Sequence, residues 1–380
     1  MDYLLTDEQK MLKEMVEKFA LDKIKPIARE NDKTEEFPTK LIKELSDLGL
    51  MGIPYPEEYG GSGMDNISYV IAIEAISRYC AATGVIVSAH TSLCVEPIYL
   101  FGTEEQKKKY MPDLCSGRKI GCHCLTESQA GSDAAAVKTS AKLEGDKWVL
   151  NGTKLFITNA AQADIAIVFA ATEPAARSRG ITAFIVEKDT PGYCIGKLEE
   201  KLGIKASSTA EVVLEDCAIP KENQLGELNK GFKVAMITLD GGRIGIAAQA
   251  LGIAKGSIED SIAYAKERVQ FGQPIAEFQG IKWYLAEMET EYQAAWLLTY
   301  RAALMKDQKL RYSKEAAMAK LKASEVAEFC ASKAVQIHGG YGYTKEFDPE
   351  RYFRDSKITQ IYEGTSEIQR EVIASNILKQ

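Results

Sequence analysis

Histidine is scarce: His90, His123 and His338 are the only three in 380 residues. That leaves little material for a histidine-centred metal cage or a histidine general base. Long apolar runs of membrane-spanning length are missing as well. The opening segment, Met1-Asp2-Tyr3-Leu4-Leu5-Thr6-Asp7-Glu8, lacks the charged and apolar regions of a secretory leader. No basic arm or lysine run occurs and the net charge is −7, which speaks against a nucleic-acid partner. No strand leads into a Gly-x-Gly-x-x-Gly helix start, so a Rossmann dinucleotide site has no support. Internal repeats and low-complexity tracts are absent. A cytoplasmic protein without membrane insertion is the expectation.

What is present is an ordinary globular composition, 46% hydrophobic and 27% charged, in a chain long enough for two or three domains. The eight cysteines are scattered mostly among apolar neighbours, which suits reduced, buried thiols. Cys122-His123-Cys124 invites a metal reading. No second ligand pair lies nearby, and in a strand His123 faces away from both thiols, so no metal is predicted.

Three textures follow one another. Residues 1–120 read as helical. Thr6-Asp7-Glu8-Gln9 forms a capping box, and Leu12, Met15, Val16, Phe19 and Ala20 follow at helical spacing until Pro26 disrupts the pattern. A second helix carries Leu41, Ile42, Leu45 and Leu48 and stops at Gly49, and helical patterns resume near Ile67 after a Gly- and Pro-rich loop. Residues 121–225 read as short strands, clearest at 147–152, 165–170, 181–186 and 210–215, which suggests a small antiparallel barrel or sandwich. Residues 173–180 form its exposed hairpin loop. Residues 226–380 are helical and alanine-rich, with long patterns at 244–268, 281–307 and 313–337.

The chemistry concentrates in a few segments. Ile361-Tyr362-Glu363-Gly364-Thr365-Ser366-Glu367 sets a carboxylate beside a glycine, where the chain can turn and a ligand can approach closely. The plain alternative is a turn whose Thr365 or Ser366 caps the next helix. Leu125-Thr126-Glu127-Ser128-Gln129-Ala130-Gly131-Ser132-Asp133 offers hydroxyls and backbone N–H groups to a planar ring or a phosphate. Phe156-Ile157-Thr158 places an aromatic and a hydroxyl on one strand face. Asp240-Gly241-Gly242-Arg243 interrupts a helical run at about 1 kcal/mol per glycine, which suggests close approach of another body. Arg268-Val269-Gln270-Phe271-Gly272-Gln273-Pro274 with Gln279, and Gln336-Ile337-His338-Gly339-Gly340, combine an arginine suited to diphosphate with a tight backbone.

In this order, and over the whole chain, the motifs resemble the acyl-CoA dehydrogenase family, most closely its short-chain, butyryl-CoA branch; residues 238–252 carry much of that likeness. The resemblance implies a helical N-terminal domain (1–120), a β middle domain (121–225) and a C-terminal four-helix domain (226–380). It implies FAD, a homotetramer built as a dimer of dimers, and electron exchange with electron-transferring flavoprotein. His123, Leu125, Thr126, Ser132, Phe156, Thr158, Thr365 and Glu367 would then contact the flavin side. Arg268, Phe271, Gln279, Gln336, Ile337, Gly339 and Gly340 would hold the diphosphate and adenosine, partly across a dimer interface. Ser132, Asp240, Arg243, Tyr362 and Gly364 would meet the acyl-CoA.

By the same resemblance Glu363 abstracts the α-proton and flavin accepts the β-hydride, giving a trans-2-enoyl-CoA, or the reverse reduction. Some branches carry the base just before the arginine, and that position is Gly242 here, so the assignment to Glu363 is made twice. Ser128 in place of proline, Phe156 in place of tryptophan, and the Cys-His-Cys run depart from the family pattern. Alternatives are a cyclic, branched or aryl acyl-CoA substrate, an acyl-CoA oxidase, and a nucleic-acid-binding protein of the same fold. His90, on the helix 84–94 expected to set pocket depth, is either a polar pocket wall or a histidine facing solvent or a hydroxyl.

Overall fold

The computed structural model describes residues 4–379. Met1–Tyr3 and Gln380 lie outside them, and with them the first positions of the segment read as lacking a leader.

The N-terminal region contains α1 (Asp7–Phe19), α2 (Lys25–Thr34), α3 (Thr39–Asp47), α4 (Asn66–Ser77), α5 (Ala81–Ala89), α6 (Glu96–Phe101) and α7 (Glu104–Cys115). The Thr6 capping box forms: Thr6 Oγ1 accepts from Gln9 N at 3.2 Å, and Gln9 Oε1 accepts from Thr6 N at 3.0 Å. Pro26 does not end the first helix. A π-helical turn over Ala20–Ile24 joins α1 to α2, and the wider turn accommodates the proline in the first turn of α2. A second π-turn, His90–Val95, fuses α5 and α6 into one helical run, Ala81–Phe101. That run is long and apolar enough to cross a bilayer, which corrects the reading that no such stretch exists. Yet 83% of its most apolar window is buried inside the protein, so its hydropathy belongs to a core helix.

The middle region is a sheet of β1 (Gly121–Cys124), β2 (Ser140–Glu144), β3 (Lys147–Thr158), β4 (Ile165–Ala171), β5 (Ile181–Glu187), β6 (Tyr193–Leu198), β7 (Thr209–Pro220) and β8 (Gln224–Leu225). The strand order is β6-β7-β3-β2-β4-β5-β8, with β1 paired to β4. Most pairs are antiparallel, but β1 and β2 each join β4 in parallel, so the sheet is mixed where the sequence suggested an antiparallel barrel or sandwich. β4 is buried at all seven positions, and β5 at six of seven, which is why both read as unbroken apolar runs.

The C-terminal region begins with α8 (Gly231–Glu267), passes a small hairpin of β9 (Val269–Gln270) and β10 (Gln273–Pro274), and continues with α9 (Gln279–Asp307), α10 (Ser313–His338), α11 (Pro349–Ile358) and α12 (Ser366–Ile377). Three long helices carry two short ones, both packed on α10, which makes this region a helical domain. Gly241 and Gly242 do not interrupt α8, which runs through them for 37 residues. One core unites α1, α4, α5, α8, α9 and α10, and two others cover the faces of the sheet. Helices and sheet thus meet along the first turns of α8, where Gly231, Val234 and Ala235 pack on the sheet side and Ile244 onward on the helices.

Candidate active site

The loop between α11 and α12 carries Glu363 in a left-handed conformation (φ 52°), followed by Gly364 (φ 93°). For a glutamate this conformation costs about 1–2 kcal/mol and needs support from its surroundings. The support comes from below. Gln369 Nε2 donates to the carbonyls of Glu363 (3.2 Å) and Gly364 (2.8 Å), and Lys320 Nζ donates to Gly364 O at 2.8 Å. Thr365 Oγ1 caps α12 by accepting from Ile368 N, so the capping reading of this segment and the reading of a carboxylate open to a ligand hold together.

Glu363 thereby lines a cavity of about 280 Å³ with Val85, Ala89 and Leu93 from the Ala81–Phe101 run, Met236, Leu239 and Arg243 from α8, and Tyr362. Its Oε2 is buried without a hydrogen-bond partner. Burial pushes its pKa up to about 7, against the opposing pull of the Lys320 and Arg243 charges. The close approach suggested by Gly241-Gly242 is real: a Cβ on Gly242 would overlap Glu363 Oε2 and lie 2.8 Å from Leu93 Cδ2. The approaching body is the carboxylate itself.

Asp240 is not on the cavity wall. Its Oδ1 lies 2.5 Å from Arg243 Nη1, and it accepts from the Ser313 hydroxyl, so it orients the buried arginine. Tyr362 OH donates to Gln249 Oε1, which fixes its ring.

A larger cavity of about 630 Å³ shares Thr126, Gly131, Ser132, Phe156, Thr158, Tyr362, Glu363 and Gly364 with the first, and also reaches Thr365. Phe156 and Thr158 meet there, though not through plain strand alternation. A bulge lies between Lys154 and Ile157, and Phe156 takes φ 57°, leaving its ring 62% exposed on the wall. Lys154 is wholly buried beneath the 125–132 loop; Nζ donates to Leu125 O (3.2 Å), Glu127 Oε1 (2.7 Å) and Phe169 O (2.6 Å). His123 and Leu125 line the smaller cavity. The Leu93 carbonyl, 3.0 Å from His123 Nδ1, can only accept, so the proton sits on Nδ1. Burial holds this imidazole down near 4, hence neutral.

The second set of candidates lies elsewhere. Arg268, Ile337, Gly339 and Gly340 line a separate cavity of about 480 Å³ that shares no wall residue with the other two. Gln279, Gln336 and Phe271 line none of the three; Phe271 is 93% exposed at φ 51°. Glu367 is exposed, 3.8 Å from Arg370, and does not line the cavities beside Glu363. His338 stacks on Tyr264 and bonds Ala334 O, a packing role. His90 is fully buried and lines none of these cavities. Its Nε2 meets Leu114 O and its Nδ1 accepts from Gly121 N, each at 3.0 Å, so it faces neither a pocket nor a hydroxyl. Among the described residues, no cluster of three or more His, Cys, Asp or Glu side chains is arranged to hold a metal.

Sequence reading passed over Lys320, Gln369, Gln249 and Lys154. A signal existed for Lys320. It sits four residues after Ala316 and three before Ala323, on the apolar stripe of α10, where a solvent-facing lysine does not belong.

A helical, β and helical chain that converges on a carboxylate and two joined cavities has the layout of an enzyme active site, and the family matches give its class as the acyl-CoA dehydrogenases. Residues 6–118, 122–217 and 229–378 match the N-terminal, middle and C-terminal domains of acyl-CoA dehydrogenase. The short-chain specific acyl-CoA dehydrogenase of Clostridium acetobutylicum is 53% identical over 100% of both chains. Butyryl-CoA dehydrogenase from Megasphaera elsdenii superimposes with a TM-score of 0.98 at 47% identity, covering 100% of both chains. A chain of the structure described as the electron transferring flavoprotein of Acidaminococcus fermentans does so at 0.99 and 49% identity, again over 100% of both. The chain belongs to the acyl-CoA dehydrogenase family.

Proposed function

We propose that the protein is an FAD-dependent dehydrogenase of short-chain acyl-CoA thioesters with Glu363 as the base. The observation that carries this is Glu363 Oε2, buried without a hydrogen-bond partner, in a carboxylate on the wall of a cavity of about 280 Å³, a size suited to a short acyl chain. A pKa raised to about 7 suits a base working near neutrality, where an ordinary glutamate is too weak. Glu363 takes the α-proton, and its backbone N–H stabilises the enolate oxygen that forms as the proton leaves. Val85, Ala89 and Leu93 exclude water around the acyl chain, and Tyr362, fixed by Gln249, closes the pocket.

The residues present fit FAD. Phe156 offers an open ring face, and Thr126, Ser132 and Thr158 offer hydroxyls on the wall of the larger cavity. Bound there, FAD supplies the two-electron acceptor for the β-hydride. Arg268, Ile337, Gly339 and Gly340 line a separate patch, which fits a cofactor shared between subunits of a homotetramer. Exposed Phe271 and Tyr343 (93% and 86%) supply apolar surface for such an assembly. Electron-transferring flavoprotein is the proposed partner. The cytoplasm is the proposed compartment, supported by eight unpaired cysteines of which seven are buried. Domain divisions near 120 and 225 are supported by β1 starting at Gly121 and α8 at Gly231.

A panel of saturated CoA thioesters, followed by bleaching of the flavin absorbance, tests the proposal. Butyryl-CoA is expected to give the highest kcat/KM. A better rate with octanoyl-CoA would remove the short-chain assignment, and no bleaching with any thioester would remove the activity.

A further inference from the structure

Lys320 is an unusual lysine. It is 0% exposed, it sits on α10 among Ala316, Ala317, Ala319 and Ala323, and its one hydrogen bond is to the Gly364 carbonyl at 2.8 Å. Burying an ammonium among alanines is costly unless the charge is used nearby. The neighbouring charge is Glu363. The two form no contact ion pair, yet each is the other's largest electrostatic influence after burial. Burial draws the Lys320 pKa down to about 7 while Glu363 holds it up.

We infer that Lys320 is a positioning residue for the base: its buried ammonium holds the Gly364 carbonyl, fixes the left-handed Glu363-Gly364 turn, and keeps the Glu363 carboxylate ionised toward the cavity. This rests on the proposed role of Glu363. Other charged or titratable groups also face this loop. Arg243 reaches Glu363 from α8 with Asp240 as its own counter-ion, Tyr69 faces it from α4, Tyr362 adjoins it in the loop, and Glu367 on α12 acts on Lys320. Arg243 is thus already in contact with Asp240, whereas Lys320 has no carboxylate in contact and its charge faces Glu363. Gln369 already bonds the Glu363 and Gly364 carbonyls, so a role limited to tying down the loop would duplicate it. The charge is what Lys320 adds.

The test compares FAD-loaded wild type with Lys320→Met, Lys320→Gln and Lys320→Arg. Two readouts are taken: the acid limb of kcat/KM against pH with butyryl-CoA, and the Glu363 carboxyl band titrated by infrared difference spectroscopy without substrate, with Glu363→Gln as blank. Loss of the cation is expected to move both midpoints to higher pH by about one unit in the Met and Gln variants, lowering kcat/KM on the acid side about tenfold. Arg, which keeps the charge, is expected to restore the midpoint even if stability falls. Unchanged midpoints in Met and Gln, with only a lower melting temperature, would overturn the inference. So would failure of both neutral variants to fold, because a residue acting on Glu363 leaves folding intact. A wild type inactive on every thioester would instead count against the proposed function, and the infrared titration would still report on Lys320.

Discussion

Gly242 on α8 packs against Glu363 so closely that a Cβ on the glycine would lie 3.1 Å from the glutamate Cδ and overlap its Oε2. Gly242→Ala is therefore expected to push the carboxylate off its position and cut kcat by about tenfold or more, since a displacement of about 1 Å is enough for that. Folding should survive, because alanine is a better helix former than glycine. Near-normal kcat in this variant would mean that the loop yields at no cost. Moving the base across the gap, with Glu363→Gly and Gly242→Glu combined, is expected to return part of the activity lost in Glu363→Gly, measured by the same assay.

Replacing Glu363 by glutamine should leave FAD and acyl-CoA bound while turnover falls roughly 10²–10⁴-fold. It should also change stability in a pH-dependent way. The folded carboxyl titrates at about 7, above its ordinary value of 4.5, so its ionised form is disfavoured by the fold. That penalty is absent below the ordinary value, grows as pH rises toward 7, and is complete above it. Glu363→Gln should therefore melt higher than wild type at about pH 8 and equally at about pH 4. Scanning calorimetry at the two values checks the sign.

Purified protein should be yellow with about one FAD per chain. Lys154→Met should lower both FAD retention and melting temperature, because it leaves Glu127 buried with its charge uncompensated, at a cost of about 3–5 kcal/mol. Removing Lys154 and Glu127 together, as Lys154→Met with Glu127→Gln, should be milder than Lys154→Met alone. Absorbance ratios after gel filtration give the FAD content. Full FAD retention in Lys154→Met would mean the 125–132 loop does not depend on this pair.

His90→Ala should cost stability and leave substrate preference alone, since the ring bridges two backbone groups and lines no cavity beside Glu363. Burial holds its pKa down to about 4 against an ordinary 6.5, so the fold prefers it neutral. Its stabilising share is fully present above 6.5 and is lost as pH falls from there through 4. The acid-side gap in melting temperature between wild type and His90→Ala should close accordingly. A changed ratio of kcat/KM for butyryl-CoA against bulkier thioesters would return His90 to the pocket.

Much of this architecture was legible in the chain because burial writes a period into it. The strands at 165–170 and 181–186 and the helix over 313–337 were visible as apolar patterns, and the Thr6 cap as a local hydrogen-bonding motif. What stayed hidden depends on contacts distant in sequence. Gly241-Gly242 read as a break because local propensity disfavours glycine in helices, but tertiary packing on α8 overrode it. The Phe156 bulge and the polar supports Lys320, Gln249 and Gln369 had no local signature that named their partners; Gln249 meets Tyr362 from 113 residues away. Pro26 and the π-turn at 90–95 were misread or missed because a wide turn preserves helical periodicity only approximately.

Helix α8 makes the site a matter of counting. Its 37 residues run from Gly231, packed on β5, to Gly242 against the base, Gln249 against Tyr362 and Gly252 against α4. One residue added inside that span would advance everything beyond it by about 1.5 Å and turn it by about 100°. Gly242 would then rotate off the carboxylate, and Gln249 off its tyrosine, in the same step. Length variation in this chain therefore belongs outside this helix, while the stretch from 231 to 252 behaves as a ruler that admits substitution but not a change of register.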